Sequence, residues 1–213
     1  MHSDDMTRVG KDGVATRGAE NFIFIRENID VQPFLREIAA NAPLWEFATS
    51  RQRKTRSQRE TRSIPLCEAV WPFYLFLRRG FESVLAPRFP ATMAWLRAFE
   101  NSTGASLGKA LIVELKPHAR VHRHIDTGRY YKPRDRYHLV LSSRDGSRMG
   151  AGKETAVFRE GELWAFDNKR PHDAENPSDE GRIHLIFDLF PRRGMGLFPA
   201  GTGMSAPFRE YAP

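Results

Sequence analysis

The sequence predicts an α+β fold in which N-terminal helices support a C-terminal jelly roll. Apolar residues in the first half recur at helical spacing, whereas the second half contains short runs of β-branched and aromatic residues separated by turn signals. With 213 residues, 40% hydrophobic and 28% charged, the chain has the size and composition of one globular domain. We expect a flexible leader over residues 1–20 and a single domain over 21–213, with helical support over about 30–105 and a jelly-roll core over about 106–192.

Two helices are predicted in the first half. Val31–Thr49 carries apolar residues at helical spacing and follows Asp30, which we expect to be its N-cap. Pro43 lies within this segment and is expected to end or kink the helix. A second helix is predicted over Ala91–Glu100, directly after Pro90, because proline favours the first helical turn.

Five short strands are predicted in the second half. Each is a run of apolar, β-branched or aromatic residues bounded by turn signals such as Glu160-Gly161 and Asn176-Pro177. Several short strands at this spacing are typical of a sandwich or barrel. The predicted strands are Ala110–Leu115, Tyr137–Leu141, Thr155–Phe158, Leu163–Phe166 and Ile183–Phe190.

The net charge of +7 is concentrated in one segment. Arg51–Arg62 (RQRKTRSQRETR) holds six basic residues and one acid, and so accounts for +5 of the total. A patch this local suits a small anionic substrate as well as a polymer. Few aromatic residues are interleaved for stacking on bases, so a non-catalytic basic nucleic-acid-binding module is the least favoured alternative.

The sequence predicts a cytoplasmic protein that does not associate with a membrane. Cys67 is the one cysteine, so a disulfide within the chain is impossible, as is common for proteins of a reducing compartment. The first residues lack the apolar core of a signal peptide, and no apolar run approaches the roughly 20 residues of a membrane span.

Two histidines and one aspartate are the candidate catalytic metal ligands. His124 and Asp126 lie two residues apart, so on a strand their side chains leave the same face. His172 follows a turn near the end of a predicted strand, where it could fold back beside that pair. Two imidazoles and one carboxylate leave about three octahedral positions open on Fe(II) for a cosubstrate and O₂. Taken alone, however, a His-x-Asp pair is more often a solvated strand end, and zinc more usually takes four closed ligands or three with one water.

Arg182 strengthens the interpretation of a catalytic site. It opens the apolar strand RIHLIFDLF, where a buried guanidinium is costly unless it meets an anion. A cosubstrate with a distal carboxylate, such as 2-oxoglutarate, would pair with it bidentately. The alternative is a structural salt bridge to an acid such as Asp188. His184 faces the same way as Arg182, which places it either in the same pocket or in the core with one hydrogen bond.

These residues lie in a stretch that resembles the aspartyl/asparaginyl β-hydroxylase family of Fe(II)/2-oxoglutarate-dependent oxygenases. The matching text runs from about Ala110 to Pro191 and comprises LIVELKPHARVHRHID, RYHLVL and GELWAFDNKRPHDAENPSDEGRIHLIFDLF, in the family's order and at close to its spacing. The resemblance implies a double-stranded β-helix, which is the cupin-like jelly roll predicted above. It also implies a hydroxylase that consumes 2-oxoglutarate and O₂ and releases succinate and CO₂.

The resemblance further implies a role for each matching residue. His124, Asp126 and His172 would bind iron, and Arg182 would bind the distal carboxylate of 2-oxoglutarate. His138 matches a histidine that contacts 2-oxoglutarate, and Arg136 matches a position that faces cosubstrate or substrate. The animal enzymes that hydroxylate epidermal-growth-factor-like domains have glycine in place of the carboxylate ligand. Because this chain has Asp126 at that position, it resembles the bacterial branch more closely.

The substrate is expected to be a small molecule or peptide, and to be anionic. The stretch Gln58–Leu66 resembles one that lies near the substrate mouth in bacterial members. On that basis Arg51, Gln52, Arg56 and Thr61 are candidates for binding a substrate anion, with a solvated basic loop as the alternative. A second enzyme hypothesis is a cupin-type metal dioxygenase that does not use 2-oxoglutarate and therefore does not need Arg182.

Overall fold

Two antiparallel β-sheets form the core of the protein, as the computed structural model shows. It describes residues 20–46 and 59–198. In chain order the strands are β1 (Phe22–Arg26), β2 (Thr61–Glu68), β3 (Phe81–Glu82), β4 (Ser106–Leu115), β5 (Ala119–His124), β6 (Asp135–Ser142), β7 (Arg148–Ala151), β8 (Glu154–Ala156), β9 (Leu163–Phe166), β10 (His172–Asn176) and β11 (Arg182–Phe190). The larger sheet has the order β1-β9-β6-β11-β4-β2-β3, and the smaller sheet has the order β5-β10-β7-β8. The predicted α+β jelly roll is confirmed.

Two α-helices pack in the N-terminal half. The first, α1 (Gln32–Ala40), is shorter than predicted and is followed by a separate 3-10 turn over Ala42–Glu46, which contains the proline expected to break it. The N-cap is Val31 and not Asp30 as predicted, although Asp30 Oδ1 accepts a hydrogen bond from the Gln32 N–H at 3.0 Å. The second, α2 (Pro90–Thr103), runs past its predicted end to Gly104, whose φ of +62° closes the helix.

Strands β6 and β11 of the larger sheet are largely buried on both faces, and their side chains alternate between the two. Leu185 and Phe187 of β11 belong to one apolar core, together with Phe34 of α1 and Leu96 of α2. Val140 of β6 belongs to a second core between the two sheets. The intervening residues of β6 and β11 face that second interior, where polar side chains replace apolar ones at one end. These are Arg136, His138, Arg182, His184 and Asp188, all of them buried.

Strands β2 and β10 are two of those that were not predicted, and their residues violate the usual rules. Strand β2 lies inside the region expected to give helical support and contains Pro65, which counts against a strand. The register with β4 shifts between Pro65 and Cys67, and this bulge accommodates the proline. Strand β10 has the sequence HDAEN, which lacks an apolar run, yet it pairs with both β5 and β7.

Some predictions fall outside the described residues. They concern residues 1–19 of the leader, residues 47–49 of the first predicted helix, and the candidate substrate residues Arg51, Gln52 and Arg56. In the part of the chain that is described, no helix is long and apolar enough to span a bilayer.

Candidate active site

His124, Asp126 and His172 come together at one end of the smaller sheet. His124 is the last residue of β5 and His172 the first of β10, and the two are register partners in the antiparallel pair. Their ring centroids lie 4.2 Å apart. Asp126 follows two residues after β5, and one ligand atom from each of the three residues lies within 4.8 Å of the others. The fold therefore places the three predicted metal ligands within reach of a single ion.

Backbone carbonyls orient both imidazoles. Nδ1 of His124 lies 2.8 Å from the carbonyl oxygen of His122, and Nδ1 of His172 lies 2.9 Å from that of Arg170. A carbonyl only accepts, so Nδ1 carries the proton and Nε2 keeps its lone pair. Burial lowers the pKa of His172 to about 4, despite the opposing charge of Asp126, so this imidazole is neutral at pH 7.

The two oxygens of Asp126 have different surroundings. Oδ2 accepts hydrogen bonds from Nη1 of Arg136 and, at 3.1 Å, from Nδ2 of Asn168. Oδ1 lies 3.8 Å from Nε2 of His124. Burial raises the pKa of Asp126, but the Arg136 charge, His172 and the Asn168 hydrogen bond together hold it below its usual value. The carboxyl group is therefore ionised, with one oxygen directed at the histidines.

Arg136 binds two carboxylates. Its Nε donates to Asp188 Oδ1 at 2.8 Å and its Nη2 donates to Asp188 Oδ2 at 3.1 Å, while Nη1 donates to Asp126. Burial lowers the pKa of Arg136, but Asp126 and Asp188 outweigh it and raise the pKa well above the usual value. The alternative of a salt bridge between Arg182 and Asp188 is wrong, because Asp188 is paired with Arg136.

Arg182 is buried next to two histidines. Its Nε donates to Nε2 of His184 at 3.0 Å, and Nδ1 of His184 lies 3.0 Å from Nδ1 of His138. Among residues 20–46 and 59–198, no carboxylate pairs with the Arg182 guanidinium, and burial lowers its pKa to about 10. Burial, the Arg182 charge and His138 lower the pKa of His184 well below its usual value, so His184 is neutral.

One cavity between the sheets joins these groups. Thr61, the first residue of β2, lines it and is separated from Arg182 by one strand, since both are register partners of Leu115. The polar lining residues are Thr61, His124, Arg136, His138, His172, Asp173, Arg182 and His184. The apolar lining residues are Val113, Leu115, Val121, Met149, Phe166, Ala174 and Ile186. The described candidates for cosubstrate contact therefore share one space with both histidines of the triad.

Sequence reasoning missed Asn168 and the pairing of Arg136. Asn168 is buried, and besides its side-chain hydrogen bond to Asp126 its carbonyl accepts the Asp126 N–H at 3.1 Å. In the sequence it stands in a turn signal, Asp167-Asn168, which indicated a loop and nothing more. Its position four residues before His172, at the approach to the site, is the one signal that could have identified it.

Comparison with known proteins identifies a family model that matches most of the chain. The model of the family described as aspartyl/asparaginyl beta-hydroxylase matches residues 33–191, which span α1 to the end of the jelly roll. No curated protein sequence matches the chain significantly.

Three solved structures resemble the chain at low sequence identity. An oxidoreductase of the 2OG-Fe(II) oxygenase family from Burkholderia pseudomallei is 11% identical, with a TM-score of 0.53 over 90% of this chain and 91% of that one. A prolyl-4-hydroxylase from Pseudomonas putida is 18% identical, with a TM-score of 0.46 over 81% and 93%. The viral collagen prolyl hydroxylase of Paramecium Bursaria Chlorella virus-1 is 8% identical, with a TM-score of 0.48 over 81% and 97%. The similarity to the Burkholderia pseudomallei structure supports the jelly-roll fold.

Proposed function

This chain belongs to the aspartyl/asparaginyl β-hydroxylase family, and we propose that it uses Fe(II), 2-oxoglutarate and O₂ to hydroxylate an unactivated C–H bond. The substrate we propose is an amino acid, a peptide or another small anion. The observation that carries the proposal is the buried Arg182, which has no carboxylate partner among the described residues and lines the same cavity as His124 and His172.

The donor set at the triad fits Fe(II). His124 and His172 offer Nε2 lone pairs, since Nδ1 of each is bound to a carbonyl, and Asp126 offers Oδ1. Two nitrogens and one oxygen on one side of an ion leave about three octahedral positions open. Fe(II) bound there would supply the redox chemistry that couples conversion of 2-oxoglutarate and O₂ to succinate and CO₂ with hydroxylation of the substrate.

Arg182 supplies the anchor for 2-oxoglutarate. A buried guanidinium without an acidic partner is costly, and a dicarboxylate would remove that cost by placing its distal carboxylate there. Nε donates to Nε2 of His184 and Nη2 lies 3.4 Å from Nδ1 of the same ring, which fixes the plane of the guanidinium and, among the described residues, leaves Nη1 for the ligand. A cupin-type dioxygenase that works without 2-oxoglutarate would have no use for this charge.

His138 borders the same ligand site. Its Nδ1 lies 3.0 Å from Nδ1 of His184, the ring that accepts from Arg182, and its side chain lines the cavity. In this proposal His138 contacts 2-oxoglutarate, as the resemblance implies.

The anionic substrate is supported by the basic segment that precedes β2. Arg51–Arg62 contributes +5 of the net charge of +7, and its strand end, Thr61, lines the cavity. Cations at the entrance would raise the local concentration of an anion and hold its carboxylate. In this proposal Arg51, Gln52, Arg56 and Thr61 contact the substrate.

Succinate release tests the function. Protein purified without oxygen is given Fe(II), 2-oxoglutarate and O₂ with a panel of free amino acids and acidic peptides, and succinate and hydroxylated product are measured together. We expect equal amounts of both with the correct substrate, and neither in the Asp126→Ala/His172→Ala variant. The matched control is Arg144→Ala, which removes an exposed arginine that pairs with Glu180 and does not line the cavity. Full turnover by the double variant would refute the proposed function.

A further inference from the structure

Arg136 and Asp188 form a support for the metal ligand Asp126. We propose that Arg136 is a positioning residue that restricts Asp126 to binding the metal through one oxygen, and that Asp188 holds Arg136 in place for this task. The inference rests on the metal site of the proposed function and deepens it. It also departs from the role that the sequence suggested for Arg136, namely contact with cosubstrate or substrate.

Asp126 needs a support because it lies outside the sheets. It stands in the segment between β5 and β6, and its backbone N–H donates to the Asn168 carbonyl, which ties its main chain to a neighbouring segment. Arg136 and Asp188, in contrast, are direct register partners on the central strands β6 and β11. The paired strands thus fix the guanidinium, and the guanidinium fixes the carboxylate of Asp126.

The donors of Arg136 are aimed at both acids. Nε and Nη2 form a two-point pair with Asp188, which is almost fully buried, and this leaves Nη1 directed at Asp126. The Tyr131 ring lies 5.2 Å from the guanidinium carbon and covers it. A lysine ammonium is a point charge and cannot reproduce this fork.

The arrangement occupies one oxygen of Asp126 and spares the other. Oδ2 accepts from both Arg136 and Asn168, so its lone pairs are used, whereas Oδ1 faces His124. The distinction matters for coordination. One oxygen and two nitrogens leave about three octahedral positions, enough for a chelating 2-oxo acid and O₂. A carboxylate that chelated through both oxygens would leave too few.

Charge balance separates Arg136 from Arg182. The Arg136 guanidinium lies between two carboxylates, so its charge is already compensated within the protein. Arg182 has no such partner among the described residues. A substrate or cosubstrate anion therefore gains more from Arg182, and Arg136 is left to act through Asp126.

Metal binding tests the inference. Co(II) serves as the probe, and calorimetry under nitrogen measures its Kd for the unaltered protein, Arg136→Lys, Asp188→Asn and the control Arg134→Lys. Arg134 is a second buried arginine of the same segment, which covers the Tyr130 ring and donates to backbone carbonyls without touching a ligand. We expect Arg136→Lys to weaken Co(II) binding by about 10–100-fold, Asp188→Asn to weaken it in the same direction, and Arg134→Lys to leave it unchanged.

The visible spectrum of bound Co(II) adds a readout that loss of stability alone would not move, because band intensity reports coordination number. We expect the spectrum to change in Arg136→Lys and to stay unchanged in Arg134→Lys. Equal affinity and an equal spectrum for Arg136→Lys would overturn the inference while leaving the proposed function intact. Failure of the unaltered protein to bind Co(II) would overturn both.

A crystal structure of the unaltered protein with Mn(II) decides the matter if the variants do not fold. We expect Asp126 to bind Mn(II) through Oδ1 alone, with Oδ2 still held by Arg136 and Asn168. Chelation of Mn(II) by both oxygens of Asp126, or a turn of Arg136 away from it, would contradict the inference.

Discussion

Arg182 donates its Nε hydrogen to Nε2 of His184 at 3.0 Å, so the nearest polar partner of this buried cation is a neutral ring rather than a carboxylate. Arg136 is the register partner of Asp188, which lies four residues after His184 on β11. Its guanidinium is instead held between Asp126 and Asp188. Arg182 and Arg136 therefore have opposite electrostatic surroundings, and replacing each by a neutral side chain of similar length should have opposite effects on stability.

Replacing Arg182 with methionine should stabilise the ligand-free protein. The substitution removes a buried charge that has no acidic partner among the described residues, and an apolar replacement of such a group can stabilise by about 1–4 kcal/mol. Denaturant unfolding without metal or 2-oxoglutarate measures the change. A loss of stability as large as that expected for Arg136 below would show that Arg182 has a structural counter-charge.

Replacing Arg136 with methionine should destabilise the protein. The substitution leaves Asp126 and Asp188 buried without their shared cation, and breaking a buried ion pair costs about 3–5 kcal/mol. The same denaturant titration measures it, with Arg182→Met as the matched comparison. Equal stability of the two variants would contradict the assignment of charges.

The ligand-free protein should lose stability as the pH falls from about 6.5 toward 4. Burial lowers the pKa of His172 to about 4 and holds the pKa of His184 well below 6.5, so both rings are neutral in the folded state while the unfolded chain takes up protons. Their contribution is fully present above pH 6.5 and is lost as the pH falls through this window. Unfolding free energies measured at successive pH values test this.

His184→Gln isolates one of the two rings. A glutamine oxygen can accept from Arg182 and its amide can donate toward His138, but it does not titrate. We expect the slope of stability against pH to be shallower in this variant between pH 6.5 and 4. An unchanged slope would mean that His184 is not protonated on unfolding.

Asn168→Ala should weaken metal binding without abolishing it. The variant removes one of the two hydrogen bonds to Asp126 Oδ2 and leaves Arg136 in place. Loss of an outer partner of a metal ligand typically costs about 10–100-fold in affinity, and we expect the lower end of that range. Co(II) calorimetry measures it, with Asn101→Ala on the exposed side of α2 as control. A tighter Kd than that of the unaltered protein would contradict the orienting role of Asn168.

Much of the fold follows from local sequence patterns. Strand β9 was predicted with its observed bounds and β11 to within one residue, because each is an apolar run between turn signals. The same rules failed for β2 and β10. A bulge accommodates Pro65 in the first, and in the second Asp173 and Glu175 are directed at Arg123 and Arg148 rather than at a core. Those compensations come from other strands and are invisible in the local sequence.

The grouping of site residues was predictable to a similar degree. The sequence brought His124, Asp126 and His172 together by spacing and by resemblance, and the fold places them within reach of one ion. It did not predict which acid pairs with which arginine. That choice depends on the register of β6 against β11, which aligns Arg136 with Asp188 and leaves Arg182 opposite Leu115 of β4. The roles of the site residues in binding iron, 2-oxoglutarate and substrate stay predictions.

Binding of 2-oxoglutarate to the Fe(II)-loaded protein, followed under nitrogen by visible absorbance, tests the central claim most directly. The claim is that the triad and Arg182 form one site. We predict a saturable absorption band with one equivalent in the unaltered protein, no band in Asp126→Ala/His172→Ala, and a requirement for about 10–100-fold more 2-oxoglutarate in Arg182→Met, as expected when a charge-assisted pair is lost. A full band in the double variant, or an unchanged 2-oxoglutarate requirement in Arg182→Met, would contradict the account.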